Sequence, residues 1–413
     1  MNSSSLPLPI RLMNFAGRGA AALGIQPVLL RVDALLEKAR ASTGLSDFGG
    51  DEFRAPLELL IRSLEGEARL STMGRLVARS DLLRTLENRL KIVELFRQHP
   101  EIAEQPIERP IFVVGPPRTG TTIFHDLLAM DPAVRVPLTW EVSYPLPPPE
   151  VATYRSDPRI ARVQADLDRV DGLIPEFKKM HPMGALRAQE CVAITSHDLA
   201  SMIYQTQFDV STYDRWVQDH DMRSALRWHR RFLQVLQWRT PGKRWGLKSP
   251  QHLWHIEHVH REYPDALFVQ THRDPARVLV SISSLVAELR RLSSDAVSFH
   301  DIAQYYAHAL RKAYDTVIDY REAGRLPRSQ VMDLYFRDFM SDQVGTVRRA
   351  YEHFGLELSA EAAAAMQTFL DENPADKHGR HLYTLADTGM VEPEVRAMFR
   401  RYEEYFDVPP EPV

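Results

Sequence analysis

Between Gly115 and Thr122 the chain reads GPPRTGTT, which gathers two glycines, one arginine and three threonines into a single turn. Glycines let backbone N–H groups approach a ligand closely, and the guanidinium and hydroxyls add further hydrogen-bond donors. None of these groups is an acid or base near neutral pH. The chemistry they suit is the binding of an anion, above all a phosphate ester at the start of a helix. A loop for a nucleoside triphosphate carries Lys and then Ser or Thr after its second glycine. Here Thr121 stands in the lysine's place and Arg118 comes three positions earlier. The group that neutralises β- and γ-phosphates is therefore missing, and the loop suits a different phosphate ester.

Other residues with chemical potential are spread along the chain. Lys248 and Ser249 occur in WGLKSP, and Arg273 and Ser281 lie eight apart in HRDPARVLVS. Carboxylates and imidazoles that can accept a proton are Glu141 in LTWEVSYP, His181 and Glu190 in HPMGALRAQEC, and His125 just after the loop. A late basic cluster holds Lys377, His378, Arg380 and His381. Cys191 is the only cysteine, which excludes an internal disulfide and fits a small buried hydrophobe in a reducing compartment.

The elements that must position these residues can be read from hydrophobic patterning. Residues 1–105 form an N-terminal helical extension, where Leu82, Leu83, Leu86, Leu90 and Val93 keep a helical period that Ser80 or Asp81 can cap and Pro100 ends. At Pro110 the pattern changes to IFVVG, a short buried strand that runs into the loop and then into a helix. Similar runs return at ALFVQTH (266–272) and QVMDLYF (330–336), each followed by a helical segment. Strands alternating with helices imply an α/β fold with a mostly parallel sheet flanked by helices. Residues 106–413 then make the second unit, with a helical, substrate-covering insertion at about 150–240.

The loop resembles the 5′-phosphosulfate loop of sulfotransferases that use 3′-phosphoadenosine 5′-phosphosulfate (PAPS), in which Lys or Arg at the position of Arg118 is followed by Ser/Thr-Gly-Thr-Thr. The same family follows a later strand with an Arg and, eight residues on, a Ser that bind the donor's 3′-phosphate, matching Arg273 and Ser281. The layout, with LTWE, WGLKSP and HGRHLYTLADTG, is more similar to the Golgi-type and bacterial branch than to the small cytosolic phenol and steroid enzymes. The resemblance runs from Ile111 to Met390. It implies a P-loop-like fold and transfer of a sulfuryl group from PAPS to a hydroxyl or amine, with no metal. It further implies that Arg118, Thr119, Gly120, Thr121 and Thr122 hold the donor's sulfonate end, with Lys248 and Ser249 on the sulfonate and leaving group; the late basic cluster with Arg380 can close over the 3′-phosphate or form a solvated turn. Glu141 is the first choice for the base, by likeness to a catalytic Glu in the protein-tyrosine branch, although the spacing from Arg135 is longer here. His181, Glu190 and His125 are rivals, and Trp140 with His181 and Glu190 would meet the acceptor.

Composition bounds the rest. The 413 residues are 44% hydrophobic and 26% charged, with a formal net charge of −4, so the surface offers no general attraction to nucleic acid. The N-terminal residues lack the uninterrupted apolar core of a signal peptide, which makes a cytoplasmic protein the expectation. Leu12, Phe15, Leu23 and Leu29 with interspersed Arg can also form an apolar face for a membrane surface, and a homodimer through these helices is open. A small-molecule kinase shares the expected sheet, with Asp333 as its candidate magnesium holder, and a non-catalytic nucleotide- or partner-binding module is a further alternative. Aromatic residues of the expected lid region, among them Trp140, Tyr144, Phe177, Tyr204 and Phe208, suit an apolar acceptor, but small molecule, lipid and glycan all stay open.

Overall fold

A computed structural model describes residues 6–174, 183–240, 244–373 and 384–412. Among the described residues five parallel strands form the sheet: β1 (Ile111–Val114), β2 (Val134–Arg135), β3 (Arg244–Lys248), β4 (Leu267–His272) and β5 (Val331–Tyr335), in the spatial order β2-β3-β1-β4-β5. Helices cover both faces, so β1 (IFVV) reads as a continuous apolar run, β4 starts apolar (LFV) before Gln270, Thr271 and His272, and every residue in both strands is buried. Phe112 of β1 stacks on Phe268 of β4 with ring centroids 5.8 Å apart. Burying such a side chain fully contributes about 1.5–3 kcal/mol, and these strands bury nearly all of theirs.

Register fixes where the strands end. Ile111, Phe112 and Val113 pair with Gly246, Leu247 and Lys248 on one side, and with Leu267, Phe268 and Val269 on the other. The chain passes from β3 on one side of β1 to β4 on the other. Such a reversal opens a crevice at the carboxyl ends of the strands, where ligands bind in open α/β sheets. The GPPRTGTT loop, Lys248 and Arg273 all lie at those ends.

The helices include α1 (Leu8–Ala22), α2 (Val32–Thr43), α3 (Arg54–Gly66), α4 (Thr72–Gln98), α5 (Thr121–Leu128), α6 (Thr139–Ser143), α7 (Pro158–Leu173), α8 (Cys191–Thr195), α9 (Arg223–Gln237) and α10 (Pro275–Ser293), of which α4–α8 and α10 carry residues that face the crevice. Helix α4 begins well before the expected cap. Ser71 caps it by accepting from the Gly74 N–H at 3.1 Å, and Ser80 and Asp81 lie inside the helix. It stops at Gln98, before Pro100, as the sequence indicates. One continuous apolar core joins Leu36 of α2, Leu60 of α3 and Leu86 of α4 to residues of α9 and α10. The N-terminal helices therefore share their core with the helices around the sheet.

Helix α1 leaves Leu8, Leu12 and Phe15 exposed at helical spacing, the apolar face expected from its sequence. Among the described residues no helix is long and apolar enough to cross a membrane.

Candidate active site

The loop between β1 and α5 is shaped by two glycines. Gly120 sits at φ 89°, where glycine is favoured, and a Cβ there would come within 2.9 Å of the Phe339 ring. A Cβ on Gly115 would collide with the Thr271 hydroxyl at 1.9 Å. Arg118 adopts φ 71° without being glycine, a conformation that costs on the order of 1–3 kcal/mol and tends to be kept where a site needs it. Its Nε lies 3.2 Å from the Ser281 hydroxyl on α10, to which it donates.

Arg273 reaches the same place from the end of β4. The residues behind it, Asp274 and Pro275, make a helix start: the Asp274 carboxylate accepts from the Ala276 N–H at 2.8 Å and Pro275 takes the first turn. This turns Arg273 back over the loop. Its Nη1 donates to the Arg118 carbonyl at 2.9 Å, its guanidinium lies 3.9 Å from the centroid of Phe336, and Nε and Nη2 fork onto the Glu411 carboxylate at 2.9 Å each. Burial, and then the nearby Arg273 charge, push the Arg118 pKa down. An anion between the two guanidinium groups would relieve that repulsion, and the N-terminus of α5 adds its own positive field. The residues present thus fit a phosphate-bearing ligand.

Lys248, the last residue of β3, is buried and stands across the loop. Its ammonium donates to the Thr122 hydroxyl at 3.3 Å and pairs with Glu190, the residue just before α8. Arg118, Gly120, Thr121, Thr122, Lys248 and Arg273 line a cavity of about 800 Å³ whose wall is mainly apolar, and Glu190, paired with Lys248, lines it too. Tyr144, Tyr204 and Phe208 of the expected aromatic set line it as well.

Several expected site residues lie elsewhere. Glu141 is fully buried in α6: Arg135 Nη2 donates to its Oε1 at 2.6 Å, while the Leu138 N–H and the Tyr154 hydroxyl donate to Oε2 at 2.9 and 3.1 Å. A carboxylate so fully engaged, away from the cavity, holds the turn after β2 and is not placed to accept a substrate proton. Glu141→Gln should accordingly destabilise the fold by roughly 3 kcal/mol, the scale for breaking a buried pair, seen as a lower denaturant midpoint with the activity per folded molecule retained. Trp140 packs in a small core with Val163 and Ala185 and does not face the cavity. Thr119 is buried and donates inward to the Pro116 carbonyl at 2.7 Å, so it braces the loop. The Ser249 hydroxyl accepts from the Gln251 N–H at 3.2 Å and caps the turn that follows Lys248. His125 is buried with Nε2 3.0 Å from the Gly246 carbonyl, and burial lowers its pKa to about 4, so it packs α5 against β3 as a neutral ring. His181, Phe177, Lys377, His378, Arg380 and His381 lie outside the described residues.

The kinase candidate Asp333 is also engaged. Arg321 forks onto it at 2.6 and 2.8 Å and His272 stands 2.9 Å away, which holds its carboxylate well below the usual range against the opposing effect of burial. It sits within β5 as part of an internal network.

Sequence reasoning missed two charged pairs that line the cavity. Arg187 donates to Asp126 of α5 at 2.6 Å, and Arg84 donates to Asp81 of α4 at 2.7 Å. Asp126 is four residues from Thr122, hence on the same face of α5, which is a signal the sequence did hold.

Comparison with known proteins agrees with this geometry. Residues 110–360 match the sulfotransferase family. The match covers more than half of the chain, and the chain belongs to that family. Over 90% of its length it superimposes on the crystal structure of the sulfotransferase STF1 from Mycobacterium tuberculosis H37Rv, with a TM-score of 0.80, 33% identity and 98% of that chain covered. The sulfotransferase STF9 from Mycobacterium avium gives a TM-score of 0.86 at 29% identity, covering 93% of this chain and 99% of that one. An omega-hydroxy-beta-dihydromenaquinone-9 sulfotransferase of Mycobacterium tuberculosis is 27% identical over 269 residues, 62% of this chain; the chain spans 65% of that relative's length.

Proposed function

We propose that this protein moves the sulfuryl group of PAPS to the hydroxyl of a small-molecule or lipid acceptor. The observation that carries this is the convergence of three cations, Arg118, Lys248 and Arg273, from the carboxyl ends of β1, β3 and β4, with a carboxylate, Glu190, next to the middle one. Arg273 and Ser281 hold the 3′-phosphate, and Arg118 with the α5 N-terminus and the hydroxyls of Thr121 and Thr122 holds the phosphosulfate end.

In the reaction the acceptor oxygen bonds to sulfur while the bond from sulfur to the 5′-phosphate oxygen breaks in line. The products are a sulfate ester, 3′,5′-bisphosphoadenosine and a proton. Glu190 replaces Glu141 as the base and takes that proton. As an acceptor hydroxyl occupies Glu190, Lys248 is released toward the sulfonate and leaving oxygens, where charge builds up. Positioning across the Lys248–Glu190 pair supplies the alignment that in-line attack requires.

Calorimetric titration with 3′,5′-bisphosphoadenosine, and separately with ATP and magnesium, tests the reading. Saturable binding of the bisphosphate that ATP cannot displace is the expected outcome. Binding of ATP alone would return the kinase alternative.

A further inference from the structure

Far from the reacting end, the cavity closes on charges that the proposed chemistry leaves unused. Along α4 the residues facing it are Met73, Val77, Asp81, Arg84, Thr85 and Asn88, so one face of the helix turns from apolar to polar along its length. Arg84 Nη2 donates to Asp81 Oδ1 at 2.7 Å. Asp81 raises the Arg84 pKa while burial acts against it, yet the Arg84 side chain is 41% exposed and that of Asp81 24%. A side chain surrounded by protein but still accessible forms the wall of a cavity. The other Arg84 N–H groups and the second Asp81 oxygen have no hydrogen-bond partner among the described residues, so the pair shows both donors and an acceptor to the cavity.

The distance to the reacting end follows from α8. Glu190 immediately precedes this helix, Val192 and Ala193 face the cavity, and His197 comes just after it. The rise per residue puts His197 about 10 Å beyond Glu190. His197 Nε2 lies 3.3 Å from Asn88 Nδ2, one turn along α4 from Arg84. The cavity wall as a whole is mainly apolar, with Val142, Ile203 and Leu285 among its lining residues. Asp81 already cancels the charge of Arg84, so an ionic group would meet one repulsive partner. A hydroxyl can accept from the guanidinium and donate to the carboxylate together.

We propose that Asp81 and Arg84 form a second acceptor subsite, which selects alcohols with an apolar body and a further hydroxyl at the far end. This rests on the sulfotransferase reading, with its acceptor hydroxyl at Glu190.

The test uses the full chain saturated with 3′,5′-bisphosphoadenosine and titrated with straight-chain primary alkanols and with α,ω-diols of matched length. The best diol is expected to bind at least about tenfold tighter than its mono-alcohol, roughly 1.4 kcal/mol. Arg84→Met and Asp81→Asn should remove that preference and leave mono-alcohol binding unchanged. A pair three residues apart on one helix contributes little to folding, and unaltered bisphosphate affinity in both variants will show that the site is intact. Equal binding of diol and alkanol at every length, a preference that survives both substitutions, or no binding of either alcohol would overturn the subsite. Failure of wild-type protein to bind the bisphosphate would instead overturn the sulfotransferase reading.

Discussion

Arg273→Ala should weaken binding of 3′,5′-bisphosphoadenosine by about 30- to 4,000-fold, the range that corresponds to losing roughly 2–5 kcal/mol from one partner of a desolvated charged pair. The expectation rests on geometry. Arg273 already presents Nε and Nη2 as a fork, with both 2.9 Å contacts made to the Glu411 carboxylate, and a phosphate presents two oxygens to the same fork. Lysine would not restore it, because a single ammonium cannot make the planar two-point contact, so Arg273→Lys should recover only a fraction of the affinity. Glu411 competes for the group that the phosphate needs. Glu411→Gln is therefore expected to tighten bisphosphate binding, and the two changes measured side by side by calorimetry separate loss of the ligand's partner from loss of the tail's anchor. Unchanged affinity in Arg273→Ala would place the 3′-phosphate elsewhere.

What the sequence disclosed about this site depended on how local each signal is. The loop was legible because a strand, two glycines and a helix start follow one another without interruption, and their chemistry needs no distant partner. Lys248 and Arg273 were legible for a similar reason: each ends an apolar run, and a run buried in a parallel sheet must end at the crevice. Glu141 was not legible. Its fate is decided by Arg135, six residues away, and by whether the short helix α6 turns the carboxylate inward. Asp81 and Arg84 were hidden in another way. The leucine period of α4 marks the face packed in the core, while the polar face beside it becomes a cavity wall only when α10 and the turn after α8 are folded against it. The partner of Arg273 lies 138 residues further along the chain, beyond the reach of any spacing rule.

Glu190→Gln should lower kcat by about 10²- to 10⁴-fold while leaving bisphosphate affinity within a few-fold of wild type, the range for removing a general base. Of the carboxylates Glu190, Asp126 and Glu141, Glu190 alone pairs with Lys248, and it also lines the cavity. Asp126 is engaged by Arg187, and Glu141 by Arg135, the Leu138 N–H and Tyr154. The substitution also loosens Lys248, whose freed ammonium can only favour an anionic ligand, so a fall in turnover cannot be blamed on poorer donor binding if affinity holds. Separate measurement of kcat and of the bisphosphate Kd makes this distinction, and Glu190→Asp should restore part of the rate because a carboxylate is again within reach of Lys248. If Glu190→Gln turned over at the wild-type rate, the proton would have to leave by another route, and the Asp126–Arg187 pair on α5 would be the next place to look.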